Sequence, residues 1–316
     1  MRVRCMFGQA PPVACRGKRS GDMPERKGRE RKKQEQARRQ RRPGLKPAAE
    51  KIPPRRVAER ALSSMFSPRG ENRRFEAQDI AYEAMGAMDD GDTERAIELA
   101  SQAAKIDPNC VDAVSLLAQA ASGSRDELIV NMTRVVEDGA RALGPKFFAE
   151  NRGHFWGILE TRPYMRARSL LAKALAEADR HDEAIRHHEE MLDLCPNDNL
   201  GLRYPLIGLY LRAGRLKDVA RLFKRYRDEG SAMFAWARVL ERLLAGDEPG
   251  AATALREARE ANPHVEAFLT GRKRRPRGDL GYYSPGEESE AVVCLDCLGD
   301  AWDRHPDARE WLKTRD

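Results

Sequence analysis

No stretch of this chain approaches the ~18 consecutive apolar residues that a membrane-spanning helix needs. The N-terminus, MRVRCMFGQAPPVACRGKRS, is basic, but proline, glutamine and arginine interrupt every apolar run, so no secretory signal is read there. Cysteine is scarce as well: Cys5, Cys15, Cys110, Cys195, Cys294 and Cys297 are too sparse in 316 residues for a disulfide scaffold. They read as free thiols of a reducing compartment, and the expected location is the cytoplasm, with no membrane partner. Asn-Gly hairpin turns and β-branched clusters are missing from the helix-rich part, which excludes a sheet as the organising element. Also missing are a glycine-rich phosphate loop, HExxH and a nucleophile elbow, so the expectation is no enzyme, no catalytic residue and no cofactor.

Charge is abundant, at 34% of residues, and unevenly spread. Residues 1–60 hold 20 Lys/Arg and 6 Asp/Glu, whereas 61–316 hold 37 and 44. The net value of +7 therefore hides a strongly basic leader joined to an acidic body. The leader, ERKGRERKKQEQARRQRRPGLKPAAEKIPPRR at its heart, has too few large apolar residues to offset its ordering entropy, so residues 1–64 read as disordered. Clustered Lys/Arg neutralise phosphates without sequence preference, which makes nucleic acid one partner class for residues 1–60. The competing reading is a solvated, dispensable extension, with Met65 as the first residue ahead of the first helix. Aromatics interleaved for base stacking are lacking, which counts against specific single-strand recognition.

From about residue 72 apolar residues recur at three- and four-residue spacing in an Ala, Leu, Glu and Arg background, the pattern of amphipathic helices. A longer period overlies it. GDTERAIELASQAAKIDPN (91–109), HDEAIRHHEEMLDLCPND (181–198) and GDEPGAATALREAREANPH (246–264) each pass through a turn to an alanine: Ala96, Ala184 and Ala251. A proline follows twelve positions later, at Pro108, Pro196 and Pro263, and a small or flexible residue seven later, at Ala103, Met191 and Ala258. Small side chains let antiparallel helices approach closely, and proline ends the second helix.

This spacing resembles the tetratricopeptide repeat, a helix–turn–helix unit of 34 residues. The expected fold is all-α: a tetratricopeptide-like helical-hairpin solenoid over 65–316. Five helix pairs are expected at roughly 74–106, 109–143, 162–195, 198–227 and 230–262, with an insert near 144–160 and a helical cap from about 264. The pattern departs at Asp179, where the turn glycine is expected. More narrowly, GHFWGILETRPYMRAR (153–168), CPNDNLGLRYPL (195–206) and ANPHVEAFLTGRK (261–273) look like a family of tetratricopeptide proteins related to the suppression-of-tumorigenicity type. That likeness spans about 75–315 and implies a repeat scaffold without catalytic residues.

Chemistry finds little footing. Cys294 and Cys297 form a CxxC, but zinc needs four ligands and no second pair exists; His264 and His305 are isolated. Small thiols packing in a capping helix are the better account, and no metal site is expected. His187 and His188 are adjacent and diverge around a helix, so they cannot chelate together. Thr161 suits an N-cap, its hydroxyl accepting a free amide, and Pro163 suits the first turn of the helix it opens. His154, Phe155, Trp156 and Ile158 are expected to tuck the insert between repeats, Trp156 as its buried aromatic.

On that helix Arg162, Arg166, Ser169, Lys173 and Glu177 make one polar stripe, opposite Tyr164, Ala167, Leu171 and Leu175. Aligned by Pro196, Arg166, Ser169 and Lys173 of the stripe fall on the concave surface that lines the groove of such repeats, with Tyr204 and Trp236 added by the next two. A cationic groove with aromatic walls suits an acidic peptide or free carboxylate, and Arg162, Arg166, Ser169, Lys173, Tyr204 and Trp236 form the candidate partner-binding set. The alternative is that the arginines pair with the body's surplus acids and hold the repeats together. The functional expectation is a non-catalytic protein–protein interaction scaffold; a nucleic-acid-associated protein anchored by its leader is the second reading.

Overall fold

The computed structural model describes residues 3–4, 69–276 and 282–315. The expected disorder of residues 1–64 lies outside these, apart from Val3–Arg4, which pair antiparallel with Tyr282–Tyr283. The chain divides into two units, one of residues 1–10 with 77–316 and one of 11–76. The helical body from Ala77 onward belongs to the first.

Fourteen α-helices follow one another among the described residues. Each of the five windows expected to hold a helix pair holds two helices. These are α1 (Arg69–Asp89) and α2 (Thr93–Ile106), then α3 (Val111–Ala121) and α4 (Arg125–Leu143). A short α5 (Pro145–Asn151) and two 3-10 turns (Phe155–Gly157 and Leu159–Thr161) form the insert. The pairs resume with α6 (Arg162–Glu177) and α7 (His181–Leu194), α8 (Arg203–Arg212) and α9 (Leu216–Arg225), and α10 (Ala232–Leu244) and α11 (Glu248–Ala261). Then come α12 (Val265–Leu269), α13 (Glu288–Arg304) and α14 (Pro306–Lys313).

Local chemistry sets these boundaries. Asp92, Ser124 and Asp247 cap α2, α4 and α11 by accepting the backbone N–H of Arg95, Glu127 and Gly250. Glu127 reaches back in turn, accepting the N–H of Gly123 at 2.7 Å. Four of the hairpins turn through one left-handed residue two positions before the second helix: Gly91, Asp179, Gly214 and Gly246. At Asp179 φ is +59°, so the departure noted in the sequence lies in the side chain and not in the backbone. Aspartate is among the few residues that tolerate this region.

Two apolar clusters form. The larger runs from Ile129 in α4 to Leu312 in α14 and carries Met165, Leu171, Ile185, Trp236, Leu240 and Trp302. The smaller joins α1, α2 and α3 through Ala77, Ala81, Ala84, Leu99, Ala100, Ala103, Cys110, Ala113 and Leu116. Between them stands α3, whose Val111, Val114 and Ala118 pack on the larger cluster.

Two expectations for the insert are corrected. Its buried aromatic is Phe155, fully inaccessible against Phe148 (ring centroids 4.9 Å apart) and near Phe147 and Tyr164. Trp156 is only partly buried and His154 is exposed. Thr161 does not cap α6 with its side chain. Its hydroxyl instead donates to the carbonyls of Phe155 and Ile158, closing the 3-10 turns on themselves.

Candidate functional site

The polar stripe on α6 exists, but its arginines are engaged. Arg162 donates from Nε to the Trp156 carbonyl at 2.9 Å and lies 5.3 Å from the Trp156 ring centroid, so it fastens the insert. Arg166 forks onto Asp112 of α3, with Nε 3.0 Å from Oδ1 and the second nitrogen on Oδ2. Gln78 of α1 donates to the same Oδ2 at 2.7 Å, and the Arg166 guanidinium carbon lies 5.7 Å from the Tyr82 ring centre. The Asp112 side chain is 5% exposed. Burial works against the Arg166 charge and the aspartate more than offsets this, raising the guanidinium pKa. Lys173 stands 3.9 Å from Glu177 one turn on. Ser169, half-buried, completes the stripe.

Helices α1, α3 and α6 thus share one polar face, with Gln78, Tyr82, Asp112, Arg166, Ser169 and Lys173 on it. The segment that carries its first part is acidic as a whole: residues 77–143 hold 13 Asp/Glu against 5 Lys/Arg, while 144–316 balance at 29 each. Glu83 is exposed on α1.

Tyr204 and Trp236 do not extend that face as an open surface. Counted back from the left-handed turn residue, Ser169, Tyr204 and Trp236 occupy the same place, ten residues before Asp179, Gly214 and Gly246. Six before stand Lys173, Gly208 and Leu240; thirteen before stand Arg166, Gly201 and Met233. Each row changes from polar on α6 to apolar on α10. Met233, Trp236 and Leu240 are all 0% exposed, so Trp236 lines no open groove. Its indole N–H donates to the Asn262 carbonyl at 3.3 Å. Tyr204 belongs to a different cluster, its hydroxyl accepting from Arg203 at 2.7 Å and donating to Glu229 at 3.0 Å.

The apolar part is covered by α13, which packs across α8 and α10. Ala291, Val292, Cys294, Leu298, Ala301 and Trp302 turn inward, none more than 2% exposed. Gly208 permits the crossing: a Cβ there would come within 1.9 Å of the Cys297 carbonyl oxygen, a backbone atom that cannot swing away. At the other end Glu290, 3% exposed, accepts the N–H of Ala232, the first residue of α10, at 3.3 Å. Its second oxygen accepts from Gly286 at 2.7 Å and from the Asn262 amide at 3.0 Å. The basic run after α12 adds ion pairs, Lys273 to Glu288 and Arg275 to Asp296, each 2.5 Å. The helix expected as a terminal cap is therefore a cover laid over two hairpins.

Sequence reading missed four residues that organise these faces: Asp112, Arg168, Arg203 and Glu290. Arg168, 8% exposed, donates to the Tyr164 hydroxyl at 2.8 Å, to Nδ1 of His187 at 3.1 Å and to Glu190. Its neighbour Arg166 drew attention by lying on the solvent-side stripe; Arg168 gave no such signal. Arg203 sits between Asp198 and Glu229, at 2.9 Å and 2.6 Å. Burial pushes Cys294 well above the ordinary thiol range, so it is unreactive at neutral pH. Among the described residues no three His, Cys, Asp or Glu gather as a metal site, and no helix is long and apolar enough to cross a membrane. Two open depressions of about 350 and 370 Å³ lie outside the stripe residues, one lined by Leu269, Pro306 and Lys313 and one by Pro108, Val135 and Ala142. No protein-family model matches the chain, and no curated protein matches it.

Proposed function

We propose that the protein is a non-catalytic scaffold of tetratricopeptide-like hairpins that binds a polypeptide segment on the face shared by α1, α3 and α6. One observation carries the reading. Three successive hairpins present hydrogen-bonding side chains on a single face, and the Gln78–Asp112–Arg166 network holds that face rigid, while the same face on α8 and α10 is covered by the chain itself. A preorganised polar face loses little entropy when a partner is laid along it.

The charge on this face favours a basic segment over an acidic one. Arg166 is neutralised by Asp112 and Lys173 stands beside Glu177, whereas Glu83 projects from α1 in a region with eight surplus acids, 13 less 5 over residues 77–143. An acidic peptide would meet repulsion there. The nucleic-acid reading rests on residues 1–60, which apart from Val3–Arg4 lie outside the described part.

A photo-crosslinking residue at position 169 of the full chain tests this, with the same residue at Gln102, exposed on α2, as control. Protein adducts formed at 169 only, through basic peptides, and weakened when Glu83 is reversed to lysine, support the reading. Equal yields at both positions, or adducts only to acidic peptides, overturn it.

A further inference from the structure

We propose that the apolar half of the same face, on α8 and α10, is a helix-binding site occupied in cis by α13, and that an amphipathic helix of a partner exchanges with it. The inference rests on the scaffold reading above and extends it to a second kind of ligand.

The contacts of α13 are those of a bound helical peptide. Its inward residues fall at one-turn spacing: Ala291, Cys294, Leu298 and Ala301–Trp302. That is how an amphipathic helix reads when laid in a groove. Its first turn supplies an acid, Glu290, to the free amide at the start of α10, where a helix N-terminus favours negative charge. Its middle passes over a glycine, Gly208, so closely that any side chain would block it. The ligand is thereby specified: a glutamate in the first turn, a small residue one turn on, and a bulky apolar residue three turns on.

Exchange is feasible because it conserves what release alone would lose. A competing helix of the same pattern restores the apolar burial and the cap on α10, so the competitor has only to overcome the effective concentration of the tethered helix. Besides packing on α12 and α14, α13 is held at its ends, where Asn262 donates to the Glu287 carbonyl at 2.9 Å and His305 Nε2 meets the Leu211 carbonyl at 3.1 Å; its two ion pairs add little. Lys273–Glu288 and Arg275–Asp296 are roughly 40% exposed on both sides, and such pairs contribute little. Because α13 follows all five hairpins in the chain, it lifts without interrupting them.

The test uses the full-length protein and a labelled peptide of residues 285–304, read by fluorescence anisotropy under reducing conditions. Wild type should take up the peptide weakly. Glu290→Gln removes the charge and, whichever way the amide turns, sets its N–H₂ against at least one of the three donors, loosening the tethered helix while leaving the site intact, and uptake should rise about tenfold. Gly208→Ala closes the site to either helix, and uptake should vanish. Glu290→Gln taking up no more peptide than wild type, or Gly208→Ala binding as wild type does, overturns the proposal. Hydrogen exchange on wild type guards against a variant that fails to fold: α13 must open ahead of α6–α11, and exchange in step with them also overturns it. Failure here leaves adducts at position 169 untouched, so the two readings fail separately.

Discussion

Replacing Arg166 with alanine separates a binding arginine from a structural one. The fork on Asp112 would be lost, leaving a carboxylate that is 5% exposed with only the Gln78 amide, at 2.7 Å. Removing one partner of a buried ion pair costs about 3–5 kcal/mol. Arg166 is itself 25% exposed, which admits some water, and Gln78 remains, so the lower end, about 3 kcal/mol, is expected. In a fold of this size each kcal/mol moves the midpoint by roughly 2–4 °C, giving a drop of about 6–12 °C. Thermal melts by circular dichroism measure it. Arg166→Lys should fall between the two, because one ammonium cannot reproduce two parallel N–H donors. Removing Asp112 as well should recover part of the loss, since no stranded charge then remains. An Arg166→Ala midpoint within 2 °C of wild type, below the roughly 2–4 °C that even one kcal/mol produces, would refute the argument and return Arg166 to the ligand side.

Burial sets two further outcomes. Phe155→Ala should cost about 3–5 kcal/mol and Trp156→Ala markedly less, despite its larger ring, because only Phe155 is fully enclosed; urea midpoints showing the reverse order would contradict this. Burial holds the His188 pKa down to about 4, with Nδ1–H fixed on the Ala184 carbonyl at 2.7 Å. The unfolded imidazole takes its proton at higher pH, near 6.5, so this stability is complete above that value and lost as pH falls towards 4. About 2 kcal/mol should go between pH 7 and 5, ahead of ordinary carboxylates. His187, also held near 4 by burial and by Arg168, adds a smaller share because it is partly exposed. A melting midpoint unchanged between pH 7 and 5 would sink this account.

Which parts of the molecule could be read from the chain depends on the distance over which each is determined. Helix ends are local. Asp92, Ser124 and Asp247 cap within three residues, and the hairpin turns lie where Gly91, Gly214 and Gly246 mark them. Even Asp179 is a local matter, since one residue's φ decides it. The partner of Arg166 lies 54 residues away, and nothing in the period of α6 tells whether a stripe faces water or another helix's acid. Phe155 and Trp156 are neighbours, and 3-10 turns obey no 3.6-residue rule that would say which one points inward. The cover over Trp236 left one trace. At equivalent places the chain reads Lys173, Gly208 and Leu240, a row losing polarity along the molecule, with a glycine in the interior of a helix. A mid-helix glycine is costly unless backbone approaches it.

The cluster joining α1, α2 and α3 carries a mechanical consequence. Six of its nine buried members are alanines, which lose little freedom on folding but also remove little apolar surface from water. The large side chains are in the other cluster, and across the gap between α1 and α6 runs the Asp112 network rather than a seam of leucines. Under tension applied at the N-terminus, α1 and α2 would peel first and at low force, because each alanine pair yields without breaking a deep contact. Polar ties are short-ranged and give way over a fraction of the distance that interleaved side chains do, so the event would be brittle. The load would then reach α3, held on the main core by Val111, Val114 and Ala118, and α4, anchored there by Ile129 and Met132, and stop. The first hairpin would act as a fuse for the hairpins behind it.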